Sequence, residues 1–363
     1  MFYFICLLVL ICLAYFFISL CNISKNKKDN VFLLVSFILC VLFIGFRADV
    51  TSPDTYTYVM AYKIIGTEYF NMFDFEIGYF LFNKFIYMLF GDNRILFLSS
   101  CAFLSCLPIF IFIKQHDTNK LLSVIVWCVF NGMNTAVGNI RQSIAIGIIL
   151  LSYYFIANKK FIFASILILL SSTFHLSAIF LLIIFLLYFV STKIRLSIRN
   201  LMLFLPIFIL IFIFSDSIFI FLLDNTVNSY YSYLTDLRQN VLGSYIYTIV
   251  TSLIFGFSLF IYKKNAYKLS VQQFKELTFY LYILLLGILF YAISSKNGTN
   301  RVALYFVSVY VFIIPMSLKL VSNDKAIKII LSIFFFLCLC GVVSGMFFLP
   351  SSFLIGKYKP VFC

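Results

Sequence analysis

Twelve continuous apolar runs constrain this chain more than any other feature. They lie at approximately 1–21, 31–46, 95–113, 121–138, 141–157, 161–173, 176–190, 200–215, 245–262, 277–293, 302–320 and 327–349. Most approach the roughly 20 residues an α-helix needs to cross a bilayer. Because the runs are continuous and do not alternate, a membrane β-barrel is excluded. With 63% of residues hydrophobic and 11% charged, no soluble fold can cover so much apolar surface. The chain therefore reads as an all-α polytopic membrane protein with about 12 transmembrane helices. Residues 1–363 are expected to form one integral membrane domain, with the phospholipid bilayer as its solvent. The first run carries no basic segment ahead of it and no convincing cleavage site, so a retained span is expected there.

Charge sets the topology. A formal charge of +14 does not imply nucleic acid here, because the lysines sit in short loops between apolar runs, where they act as positive-inside signals. The stretch 161–190 reads either as one tilted helix or as two short ones meeting near His175. If Lys159, Lys160, Lys193, Arg195 and Arg199 all face the cytoplasm, the chain crosses twice between them and His175 lies at the outer end of a short hairpin. The run 77–92 carries Asn83 and Lys84 in its middle, and counting it as a span would invert every later loop. It is expected as an amphipathic or re-entrant element on the outer face. Residues 47–94 and 216–244 then form outer-face segments, and both termini lie outside.

This topology places 17 of the 27 basic residues inside. It also separates the two kinds: 15 of 20 lysines are inside, whereas five of seven arginines are outside. Lysine serves topology as a hydrated point charge, while arginine offers a planar fork that grips phosphate. Nine of the 13 acids also fall outside, so the outer face has the makings of a site for an anionic ligand.

The candidate residues follow from that face. Segment 46–58, FRADVTSPDTYTY, packs Arg47, Asp54 and Tyr58 among threonines and tyrosines. Rings beside carboxylates suit sugars; the plainer alternative is an interfacial tyrosine belt with a capping Asp. Glu76 opens the 77–92 element as a second candidate acid, or as a helix-dipole partner. In 131–147, Asn134, Gly138, Arg141 and Ala145 share one face if the helix is continuous. No acid lies within a turn of Arg141, so its charge points to ligand binding with Gln142 beside it, or to pairing with a distant Asp or Glu. His175 suits proton transfer, or is a buried imidazole bonded to backbone; His116 reads as inert. Arg301 enters a span from an outer polar turn, with Tyr305 four residues on. The ten cysteines read as small buried hydrophobes. With no metal-ligand spacing and no Gly-rich phosphate loop, neither metal nor cofactor is expected.

These residues resemble the EpsG/Wzy-like polysaccharide polymerases. The resemblance rests on FR followed by DT-x-x-Y (Arg47, Asp54, Thr55, Tyr58), Glu76 before Gly-Tyr, and the IRQ-x-IA run Ile140–Ala145. It continues through the FH-x-S run Phe174–Ser177, NR-x-x-x-Y (Asn300, Arg301, Tyr305), and Tyr358 and Pro360. Val361 follows that proline where the family often has an aromatic. The resemblance implies a glycosyltransferase at the outer face of the bacterial cytoplasmic (inner) membrane, its site facing periplasm or exterior. It would move a growing glycan from undecaprenyl pyrophosphate to an incoming lipid-linked oligosaccharide repeat unit, with O-antigen favoured over capsule as the product. A chain-length regulator is a further candidate partner. On this reading Arg141 and Arg301 clamp the donor pyrophosphate with Arg47 assisting, and Gln142, Tyr58 and Tyr305 line the substrate. Asp54 or Glu76 serves as base with His175 on phosphate, or His175 is itself the base. A flippase or a ligase for the same lipid-linked glycan is the alternative.

Overall fold

The computed structural model describes residues 2–48, 51–66, 75–130, 132–194, 241–297 and 300–321, with isolated positions between 196 and 213 and at 329. Every regular element among the described residues is a helix: α1 Phe2–Leu20, α2 Lys25–Gly45, α3 Pro53–Gly66, α4 Ile77–Phe90, α5 Arg94–Gln115, α6 Lys120–Val129, α7 Gly132–Gly138, α8 Ile140–Ala157, α9 Phe161–Phe174, α10 Ile183–Lys193, α11 Val241–Asn265, α12 Val271–Asn297, α13 Asn300–Val307 and α14 Tyr310–Leu320. Two 3₁₀ segments, Leu176–Leu182 and Ala266–Lys268, complete the set. The chain is an all-α multi-pass membrane protein.

Eight helical segments are long and apolar enough to cross a membrane, or nine if α6 and α7, bent by 49° at their junction, count as one. The expected span 161–173 and the expected outer-face element 77–92 both appear as shorter apolar helices, α9 and α4. The run 327–349 apart from residue 329, most of 200–215, and the outer segment 216–240 lie outside the described residues, as do Tyr358, Pro360 and Val361. The 161–190 stretch resolves into two pieces, because α9 ends at Phe174 and His175 takes an extended backbone before the 3₁₀ turn.

The chain divides into two compact units: residues up to Leu182 with those from Tyr310 onward, and Ile183–Val309. In the first unit, α8 and α9 form an antiparallel hairpin closed by Asn158–Lys160, with Lys159 in the left-handed region at φ 58°. Gly147 lets α8 approach α5 closely, since a Cβ there would come within 2.9 Å of the Ser105 carbonyl. A buried cluster of Val59, Tyr62, Tyr79, Phe97, Ile140 and Phe174 joins α3, α4, α5, α8 and α9. Within it Tyr62 stacks on Phe97 at 4.2 Å and donates its hydroxyl to the Gly91 carbonyl at 2.5 Å. The polar segment after α2 folds because Ser52 accepts the Thr55 N–H at 3.0 Å and Pro53 occupies the first helical position, where no N–H is needed. In the second unit α11 packs against α12, and α12 against α10 and α13. The Tyr282 hydroxyl there donates to the Ile194 carbonyl at 3.2 Å.

Candidate active site

Three helix ends meet at one end of the first unit. Arg141 is the second residue of α8, His175 directly follows α9, and Glu76 sits at the N-cap position of α4. The α8–α9 hairpin brings Arg141 and His175 to the same level. The contact of α4 with α9 then delivers Glu76 between them. Gly78 makes that contact possible: a Cβ there would fall 2.2 Å from Thr173 Oγ1 and 2.9 Å from the Thr173 carbonyl.

The Glu76 carboxylate is the hub. One oxygen accepts a hydrogen bond from Arg141 Nη1 and forms an ion pair with it. The other accepts from His175 Nδ1 and from the Leu176 N–H, each at 3.2 Å. An ionised carboxylate only accepts, so Nδ1 carries the proton and His175 Nε2 is the nitrogen turned away from Glu76. Burial pushes the Glu76 pKa up, but the His175 hydrogen bond and the Arg141 charge outweigh it and hold the group at about 2, against an ordinary 4.5. A distant acid, one of the two alternatives for Arg141 in the sequence, is therefore its partner in the fold.

Aromatic rings complete the Arg141 environment. Its guanidinium carbon lies 5.1 Å from the Phe75 ring centre, 5.7 Å from Tyr58 and 5.9 Å from Tyr79. Its Nε donates to the Tyr58 hydroxyl at 3.4 Å. Rings around a guanidinium fix its plane and keep it charged. Nη1 and Nε have protein partners among the described residues, which leaves Nη2 for a ligand. The side chains remain 25%, 18% and 20% exposed for Arg141, Glu76 and His175, so the cluster can be reached from outside.

Asp54 is half-buried in the first turn of α3, one turn from Tyr58 on the same face. Arg47 is only 1% exposed; its Nη1 donates to the Ile44 carbonyl at 2.5 Å and its Nε to Thr55 Oγ1 at 3.4 Å. Gln142 is 3% exposed, turned into the protein beside Arg141. Arg301 and Tyr305 belong to α13 of the second unit, where Tyr305 is fully buried. The supposed stripe of Asn134, Gly138, Arg141 and Ala145 is interrupted, because the helix breaks at Asn139. Phe75, Gly78 and the Leu176 N–H were not anticipated. Glu76 before Gly78 and Tyr79 was the one local signal, since a glycine two residues past a charged helix start marks a close approach.

The sequence pattern of the EpsG family matches residues 30–359, nearly the whole chain. No curated protein and no solved structure matches it.

Proposed function

The chain belongs to the EpsG family, membrane proteins of polysaccharide-polymerase type, and from that premise we propose that it is a lipid-linked oligosaccharide polymerase. In this reading it transfers a growing glycan from undecaprenyl pyrophosphate to an incoming lipid-linked repeat unit at the outer face of the cytoplasmic membrane. The observation that carries the reading is the cluster of Glu76, Arg141 and His175 at three converging helix ends.

An acceptor hydroxyl oxygen attacks the anomeric carbon of the donor sugar. The bond from that carbon to the phosphate oxygen breaks, and its electron pair leaves with the lipid pyrophosphate. The hydroxyl proton passes to His175 Nε2, while Glu76 holds the opposite side of the ring through Nδ1. A carboxylate held at about 2 is a weak proton acceptor at neutral pH, which favours His175 as base and Glu76 as the group that orients it. Arg141 directs its Nη2 edge at the pyrophosphate as negative charge builds there. Tyr58 and Asp54, on one face of α3, are placed to meet sugar hydroxyls.

Depth supports this assignment. The 14 residues of α9 rise about 21 Å, against a hydrocarbon core of roughly 30 Å. With Lys159 and Lys160 at the inner interface, His175 is recessed below the outer one. A pyrophosphate on an isoprenoid chain approaches such a level from the membrane side.

The test is a gel of surface glycans from a strain lacking this gene, complemented with wild type or Arg141→Ala. A ladder restored by wild type alone is the expected result. A normal ladder from the Arg141→Ala protein refutes the clamp. Loss of even the single-repeat band in the deletion strain moves the block to an earlier step or to transfer, and favours a flippase or a ligase.

A further inference from the structure

At the helix break before Arg141 the backbone bonding changes. In an unbroken helix the Val137 carbonyl would accept the N–H of Arg141. Here it accepts the Thr55 hydroxyl at 2.9 Å instead. The backbone bonds across the break are Asn139 N–H to Thr135 and Ser143 N–H to Asn139, both 2.8 Å. Thr55 is fully buried. Its single proton goes to Val137, so the other two contacts must be donated to it: by Ser52 Oγ at 2.9 Å and by Arg47 Nε at 3.4 Å. Ser52 in turn accepts the Thr55 N–H at 3.0 Å. Every hydrogen-bonding position of the Thr55 hydroxyl is used, and each bond has a fixed direction.

From this we infer that Thr55 is a positioning residue for Arg141. Its hydroxyl caps α7 at Val137, keeps the chain from closing into one helix through Asn139, and so holds Arg141 in the first turn of α8 facing Glu76 and Tyr58. The first-turn N–H groups of α8 also stay outside the intrahelical ladder. Arg47 acts one step further back, as the buried donor that fixes the Thr55 oxygen. The inference rests on the reading of Arg141 as the leaving-group clamp, and it assigns a role to the threonine of the DT-x-x-Y sequence that touches no substrate.

The test uses the full-length protein in nanodiscs, with inorganic pyrophosphate as probe and wild type, Thr55→Val, Thr55→Ser and Arg141→Ala as samples. Thr55→Val keeps the volume but removes the hydroxyl, and it is expected to weaken pyrophosphate binding by tenfold or more, since a misplacement of about 1 Å at such a site costs on the order of 100-fold. Thr55→Ser keeps the bond to Val137 and is expected to bind within about threefold of wild type. Equal binding by Thr55→Val and wild type, with Arg141→Ala binding none, overturns the positioning role alone. No binding by wild type overturns the clamp reading itself. Amide hydrogen exchange over residues 137–143 covers the case in which Thr55→Val fails to fold. In wild type the Arg141 amide is expected to exchange rapidly beside protected α8 amides, and strong protection of it would show an unbroken helix and overturn the inference.

Discussion

Replacing Glu76 with Gln removes the charge at the hub of the cluster while keeping its shape, and the consequence depends on pH with a definite sign. The folded carboxylate titrates at about 2, against 4.5 for an ordinary glutamate. The unfolded chain therefore takes up the proton first as pH falls. The stabilisation is full above pH 4.5, declines between 4.5 and about 2, and is gone below that. At about 1.4 kcal/mol per pH unit, the gap amounts to at most about 3 kcal/mol. The side chain is 18% exposed, so solvent screening takes only a minor part of it. The assay is thermal unfolding of wild type and Glu76→Gln in nanodiscs from pH 7 to pH 3. Asp117, whose pKa is lowered by its hydrogen bond from Lys319, also loses stabilisation in acid, but it does so in both proteins and cancels from the difference. Wild type is expected to melt several degrees higher at pH 7 and to lose most of that lead by pH 3. A lead that stays constant over the whole range refutes the assignment of Glu76 as the ionised partner of Arg141 and His175.

Two further substitutions test the frame around the site. Gly78→Ala places a methyl 2.2 Å from Thr173 Oγ1 and 2.9 Å from the Thr173 carbonyl. Overpacking of this kind costs about 1–3 kcal/mol and pushes α4 from α9, so a lower melting temperature and a lost glycan ladder are expected together. Tyr62→Phe removes the hydroxyl bonded to the Gly91 carbonyl at 2.5 Å but leaves the ring stacked on Phe97. It is expected to cost about 1 kcal/mol in stability with the ladder intact, measured by the same two assays.

What the sequence made legible follows from the range over which each signal acts. Hydropathy is local, so most of the expected spans reappear as helices, and among the described residues the short α9 and the bent α6–α7 pair depart from simple crossing lengths. Arg141 stood out because an arginine among Ile and Ala without a nearby acid demands a partner. The identity of that partner could not be read, since Glu76 is 65 residues away and His175 is 99 residues from Glu76. Arg47 illustrates the converse. In sequence it resembles the other outer arginines, but the turn after α2 folds its side chain inward onto Ile44 and Thr55. Whether the helix is continuous through 131–147 was left open in the sequence, and the contact of Thr55 with Val137 at the break spans 82 residues.

The position of the ionic groups has a common physical basis. A lone arginine held in hydrocarbon costs roughly 2.5–3.5 kcal/mol even at the lower estimates. Pairing Arg141 with Glu76 cancels the charge, and three rings shield the guanidinium. The pair therefore carries its own neutralising partner without substrate. All three charged or protonatable groups lie at helix ends, where backbone N–H and carbonyl groups already face a polar space. On the proposed reading, a pyrophosphate entering that space takes the Nη2 edge of Arg141 while Glu76 keeps Nη1. Glu76 then keeps both partners, and the Nδ1–H bond that orients the proposed base is held through donor binding. On that reading the clamp and the base are held by one shared carboxylate, an arrangement that suits an enzyme whose leaving group and nucleophile both arrive on lipids.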